Sequence, residues 1–168
     1  MSAAHLPLKN LNDSAQQSLI STEKDGVDKA IEKVESDAQK SGRITKDDIL
    51  NIIEKIKQQS IFIIKKHSKI GKIINTPSYY IFLETASTTQ SLLLIRCCGN
   101  LVPEEPPNSR TKLVEDVWKM FEGFGVPLDV SHYNALLRVY LENEHSFDPM
   151  KFIQILEGKS IQPNRVIF

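Results

Sequence analysis

The sequence predicts an all-α protein whose helical hairpins stack as an α-solenoid, and three observations predict it. Apolar residues recur at spacings of three and four along most of the chain, the period of a one-sided helix. Helix start and stop signals, rather than strand alternation, separate these runs. The last two segments also repeat at an offset of 35 residues, and repetition at that length marks stacked hairpins.

The 168 residues suit one ordinary domain, and 40% apolar with 25% charged residues is globular rather than disordered composition. No apolar run reaches the length of a membrane span, so no membrane partner is expected. The 21 basic residues are matched by 21 acidic ones, so bulk charge gives no push toward nucleic acid and any such affinity must come from a local face. Cys97 and Cys98 are neighbours, a geometry that rarely bridges, and read as reduced thiols in an intracellular compartment. The first 42 residues contain no Arg and carry Asp13, Glu23 and Asp25, so no mitochondrial transit peptide is legible.

Residues 1–25 mix polar residues with scattered Leu and read as a loosely ordered lead segment. Val27, Ile31, Val34 and Ala38 form one stripe of a helix that Gly42 can end, and Thr45 with Asp48 resembles a capping box before Ile49, Ile52, Ile53 and Ile56. This gives a degenerate helical hairpin over 26–58. Residues 59–87 read as an insertion or linker, because the β-branched run Ile61 to Ile64 and the aromatic cluster near Tyr79 fit a buried helix or short strands equally. Lys65, Lys66, Lys69 and Lys72 in that stretch are candidates for phosphate contact or form a solvated charged loop.

A second degenerate hairpin spans 88–128. Leu92, Leu93, Ile95 and Leu101 are followed by Pro103, Pro106 and Pro107, which interrupt the helix, and Leu113, Val114, Val117, Trp118 and Phe121 then carry its second arm. Glu104 and Glu105 read as solvent-facing spacers in the loop. Residues 129–168 form a full repeat and the start of the next, with Tyr133, Leu136, Leu137, Tyr140 and Leu141 on one helix and Asp148-Pro149 opening another. Trp118 and Tyr140 sit at core spacing. At the 35-residue offset Val117 matches Phe152, Phe121 matches Leu156, Asp129 matches Asn164 and Tyr133 matches Phe168. An upstream match at 44 pairs Ser91 with Ala135, which places a nine-residue insertion near the Pro-rich loop. Because Phe168 opens a helix with no downstream neighbour, the chain is expected to be a fragment and marginally stable alone.

Asp129 to Tyr140, closed by Ile161-Gln-Pro163-Asn164, resembles a pentatricopeptide repeat. With Leu94 to Gly99 and Asn164-Arg165 added, residues 88–168 resemble the amino-terminal region of the animal leucine-rich, mitochondrial branch of that family. The resemblance implies binding to single-stranded mitochondrial messenger RNA in the mitochondrial matrix, support of its stability, polyadenylation and translation, and a small RNA-recognition-motif partner protein. Without it the chain reads as cytoplasmic or nuclear. Taking Ser131 as the first position, the reading positions implied by the family fall on His132, Ala135 and Arg165, with Ser91 and Val130 as upstream equivalents. Ala135 offers no hydrogen-bonding group, so weak sequence preference is expected, and Arg165 is a surface residue or contacts RNA. No metal framework, phosphate loop or nucleophile motif appears, so neither a cofactor nor an enzyme activity is expected. The alternative function is a protein-docking helical scaffold of the tetratricopeptide kind.

Overall fold

The computed structural model describes residues 26–69 and 86–164. The lead segment, the aromatic cluster of 79–83, Lys72, Arg165 and Phe168 lie outside them. Six helices and no strands are found among the described residues. They are α1 (26–41), α2 (Lys46–Lys69), α3 (Thr88–Arg96), α4 (Pro107–Gly123), α5 (Val130–Glu142) and α6 (Pro149–Gly158). The inner-row helices α3 and α5 pack side by side, and α4 packs against both.

Helices α2, α3, α5 and α6 begin where the sequence supplies a side-chain cap, and α4 begins on Pro106-Pro107 without one. Thr45 and Asp48 exchange hydrogen bonds at the start of α2, with Asp48 N–H on Thr45 Oγ1 at 3.1 Å and Thr45 N–H on Asp48 Oδ2 at 3.2 Å. Ser87 and Gln90 form the same reciprocal box on α3. Asp148 accepts from Met150 N–H and Lys151 N–H, and Pro149 fills the first helical position, where its missing N–H costs nothing. Gly42 follows α1 at φ 66°, a conformation that a Cβ would strain.

Helix α2 runs through the position where the sequence reading placed a boundary. Ile63 is buried while Ile61 and Ile64 are exposed, so the β-branched run is one more stretch of helix and not a strand. Tertiary burial of one face overrides the low intrinsic helix propensity of such residues.

One continuous core joins Val27, Ile31 and Val34 of α1 to Ile49, Ile52 and Ile56 of α2, Leu94 and Ile95 of α3, Val114, Val117 and Phe121 of α4, and Phe152 and Leu156 of α6. Trp118, Tyr133 and Phe152 meet edge to face, with centroids 4.9 and 5.7 Å apart, a geometry that matches positive ring edges to negative faces. Trp118 and Tyr140 both pack against this core.

The Pro-rich connection is not a passive spacer. Glu104 Oε1 accepts the Lys46 backbone N–H at 3.0 Å, Glu105 pairs with Lys46 Nζ at 3.2 Å, and Leu101 O accepts Ile44 N–H at 2.8 Å. Glu104 is exposed as expected and Glu105 half-buried, and beyond acting as spacers both hold Lys46, whose backbone N–H is one of the donors that the first turn of α2 leaves open. The turn after α3 is held from the other side. Asn143 Nδ2 donates to Cys98 O at 3.2 Å, Arg110 donates to Gly99 O and Asn100 Oδ1, and Glu142 Oε2 accepts Asn100 N–H at 3.1 Å. The Glu142 carboxylate lies close against Gly99, where a Cβ would displace it.

Candidate nucleic-acid interface

A surface that reads an unpaired strand needs polar side chains exposed at the seams between stacked repeats. The first seam lies between α3 and α5. There Ser91 and His132 are each 1% exposed and Ala135 is 4% exposed. A side chain so enclosed cannot meet a nucleotide, so the base-facing role expected of Ser91, His132 and Ala135 is corrected by their burial.

What these residues do instead is bind the two repeats together. Ser91 Oγ donates to Thr88 O at 2.7 Å and lies 3.0 Å from His132 Nε2, leaving the imidazole N–H as the donor in that second contact. His132 Nδ1 lies 2.8 Å from Asp129 Oδ1 and 3.2 Å from the Asp129 backbone nitrogen. The same carboxylate oxygen accepts the N–H groups of Ser131 and His132 at the start of α5. Partial burial works to raise the Asp129 carboxyl, but the contacts from His132 and Ser131 outweigh it and hold the group below the usual range.

Serine, histidine and aspartate in this order invite comparison with a hydrolase triad, and the geometry rejects it. The hydroxyl proton is committed to a helix carbonyl, so the ring cannot act as its base, and the enclosed serine has no substrate approach. Sequence reasoning missed this network because Ser91 and His132 are 41 positions apart, and neither belongs to a nucleophile motif.

The second seam lies between α5 and the closing residues of its own unit. Asn134, half-buried on α5, donates from Nδ2 to Asn164 Oδ1 at 3.2 Å, and Asn164 is exposed. Asn134 Oδ1 has no hydrogen-bond partner among the described residues. These two amides were not picked out from the sequence, although Asn164 sits in the closing motif and Asn134 in the helix that opens the repeat.

The lysine candidates lie elsewhere. Lys65 is exposed and Lys66 half-buried on the last turns of α2, with Lys69 at its end. No group of three potential metal ligands occurs among the described residues, and no helix there is long and apolar enough to cross a membrane.

Capped antiparallel helices, repeating in register and sharing one core, define an α-solenoid of pentatricopeptide-type hairpins. No protein-family model matches the chain. Curated relatives do. Leucine-rich PPR motif-containing protein, mitochondrial, of Xenopus tropicalis is 36% identical over 140 residues, which cover 78% of this chain and 10% of that protein. The Mus musculus protein of the same name is 43% identical over 105 residues, or 60% of this chain and 8% of the relative. The Rattus norvegicus protein is 48% identical over 81 residues, or 48% of this chain and 6% of the relative. The chain is thus related to the leucine-rich PPR-motif proteins, and spans about a tenth of the length of the first of these curated relatives. All three are named as mitochondrial, and the mitochondrial location implied by the resemblance stands.

Proposed function

We propose that the chain is a non-catalytic RNA-binding segment that contacts single-stranded mitochondrial messenger RNA along the seam side of its inner helices. The observation that carries this reading is the amide pair Asn134 and Asn164, which meets at the edge between repeats with one oxygen unpartnered. An amide presents a donor and an acceptor side by side, the pattern needed to grip a base edge. Arg165, next in the chain, would reach a phosphate or stack on a base, and Lys65, Lys66, Lys69 and Lys72 would follow the backbone. In the longer protein this contact would serve messenger stability, polyadenylation and translation, together with a small RNA-recognition-motif partner.

Fluorescence anisotropy with a labelled single-stranded RNA tests the reading. Affinity should fall as salt rises, because phosphate contacts release counterions. Asn134→Ala should weaken binding by about twofold to tenfold, the value of one or two net hydrogen bonds. Binding that is flat in salt and unchanged by that substitution would reject the site.

A protein-docking scaffold is the second reading, favoured by the exposed apolar side chains of Leu50, Ile61 and Ile64 on α2. Crosslinking in mitochondrial extract that recovered protein partners and no RNA would decide for it.

A further inference from the structure

Hydroxyl groups that are exposed and flanked by basic residues are rare in this chain. Among the described exposed residues, only Ser41 and Thr45 carry Lys or Arg within two positions on each side, Lys40 and Arg43 around the first and Arg43 and Lys46 around the second. Thr45 is committed to its own helix. Its Oγ1 donates to Asp48 Oδ2 at 2.6 Å and accepts Asp48 N–H at 3.1 Å, so the capping box uses the hydroxyl in both directions. Ser41 stands apart from any such box. It ends α1, its neighbours Lys40, Gly42 and Arg43 are exposed, and Gly42 at φ 66° makes the turn toward α2.

The Ser41 hydroxyl spans that turn. It donates toward Asp37 O at 2.8 Å and Arg43 O at 3.1 Å, and its oxygen accepts Arg43 N–H at 3.3 Å. Beside it lies a cleft of about 540 Å³ between α1, the turn and the Pro-rich loop, lined by three carboxylates, Asp37, Asp48 and Glu104, and by the cations Lys33 and Arg43. Lys33 is divided between Asp37 at 3.0 Å and Asp48 at 2.7 Å, while Arg43 has no ion pair among the described residues. The same turn carries a joint between hairpins, because Ile44 is buried and its N–H donates to Leu101 O at 2.8 Å.

We propose that Ser41 is a phosphorylation site for a basophilic serine kinase, and that the phosphate loosens the joint between the first hairpin and the Pro-rich loop. Such a kinase selects its substrate by charge, its own acidic groups meeting Lys40 and Arg43. Ser41 Oγ attacks the γ-phosphorus of ATP, the bond from that phosphorus to the bridging oxygen breaks, ADP leaves, and the hydroxyl proton passes to the kinase's base. The product has lost the donor that served Asp37 O and Arg43 O. It also places about two negative charges at the C-terminal end of α1, where the helix dipole is itself negative, and beside three carboxylates. Arg43 answers part of that charge. Lys33 serves the phosphate only by giving up Asp37 or Asp48, so repulsion outweighs the new pairing.

The test exposes the full chain to mitochondrial extract with Mg²⁺ and ATP labelled on its γ-phosphoryl group, and maps the label by mass spectrometry. Label should fall on Ser41 and be lost in Ser41→Ala. The phosphorylated chain should melt about 2–4 °C below the unmodified one, with faster amide exchange around Ile44 and Leu101. Two variants separate charge from the lost hydroxyl. Both Ser41→Ala and Ser41→Glu lack the donor, so Ser41→Glu should melt lower at low salt, and the gap should close in about 1 M salt, where charges are screened within roughly 3 Å. No label on Ser41, or label on Thr45 alone, would overturn the proposal. Label on Ser41 with melting and exchange unchanged would overturn its effect on the joint, as would equal melting of the two variants at low salt.

Discussion

Removing the contact between Ser91 and His132 should cost far more than its exposed neighbours do, and a double-mutant cycle measures it. His132→Ala deletes a ring that is 1% exposed and leaves a hole lined by α3 and α5. It also strips a partner from the Asp129 N–H and from Ser91 Oγ. Lost packing and two net hydrogen bonds together amount to about 2–4 kcal/mol. Ser91→Ala leaves an imidazole nitrogen enclosed without a partner, which costs about 1–3 kcal/mol. Because each single variant already breaks the shared bond, the double variant should lose less than the sum, with a coupling of about 1–2 kcal/mol. In thermal unfolding His132→Ala should lower the midpoint by roughly 5–15 °C, taking about 2–4 °C per kcal/mol for a chain of this size. Urea unfolding followed by circular dichroism supplies the cycle. Thr111→Ala provides the control, since Thr111 Oγ1 bonds only within α4, to Pro107 O at 3.0 Å, and should be additive with His132→Ala. A Ser91–His132 coupling under about 0.3 kcal/mol, no larger than that control, would refute the idea that this pair joins the repeats.

Three further outcomes follow from buried or paired groups. Hydrogen bonds from Lys33 and Thr45 hold the Asp48 carboxyl below its ordinary value, so its contribution is present above the unfolded value and is lost as pH falls through the folded one. Melting temperature should therefore drop on acidification below about pH 4, and Asp48→Asn should flatten part of that drop. Burial pushes the Cys97 thiol up to about 12 and Cys98 well above the ordinary thiol value, so neither should react with iodoacetamide at neutral pH until urea unfolds the chain, as mass spectrometry would show. Gln59 is 2% exposed and both its amide atoms lack partners among the described residues, so Gln59→Leu should raise stability by about 1–2 kcal/mol in urea unfolding.

Helices α4, α5 and α6 were legible because their apolar spacing and their boundary residues agree. Asp148-Pro149 names a start, and Leu156 with Phe152 names the buried face. The second half of α2 was not legible, since Ile61 to Ile64 carries strand-like propensity and only packing decides its state. At the seam the difficulty was angular. In an α-helix one residue of register is about 100° of rotation, so Ala135 points into the core while Asn134 points toward Asn164. Composition at these positions reads almost the same either way. The Glu104 cap on Lys46 was beyond sequence reasoning for another reason, being a contact across 58 positions that no local pattern encodes.

Contacts between hairpins are unevenly distributed among the described residues. Upstream, the insertion loop grips α2 through Glu104, Glu105 and Leu101, and His132 seals α3 against α5. Leu141 stands at the offset of 44 from Cys97, yet Cys97 is 1% exposed and Leu141 68% exposed. The difference follows from α5 and its flanking turn packing over the end of α3, with no corresponding helix over the end of α5 among the described residues. A hairpin stacked there in the same register would bury Leu141 as Cys97 is buried, and would bring its first helix beside Asn134.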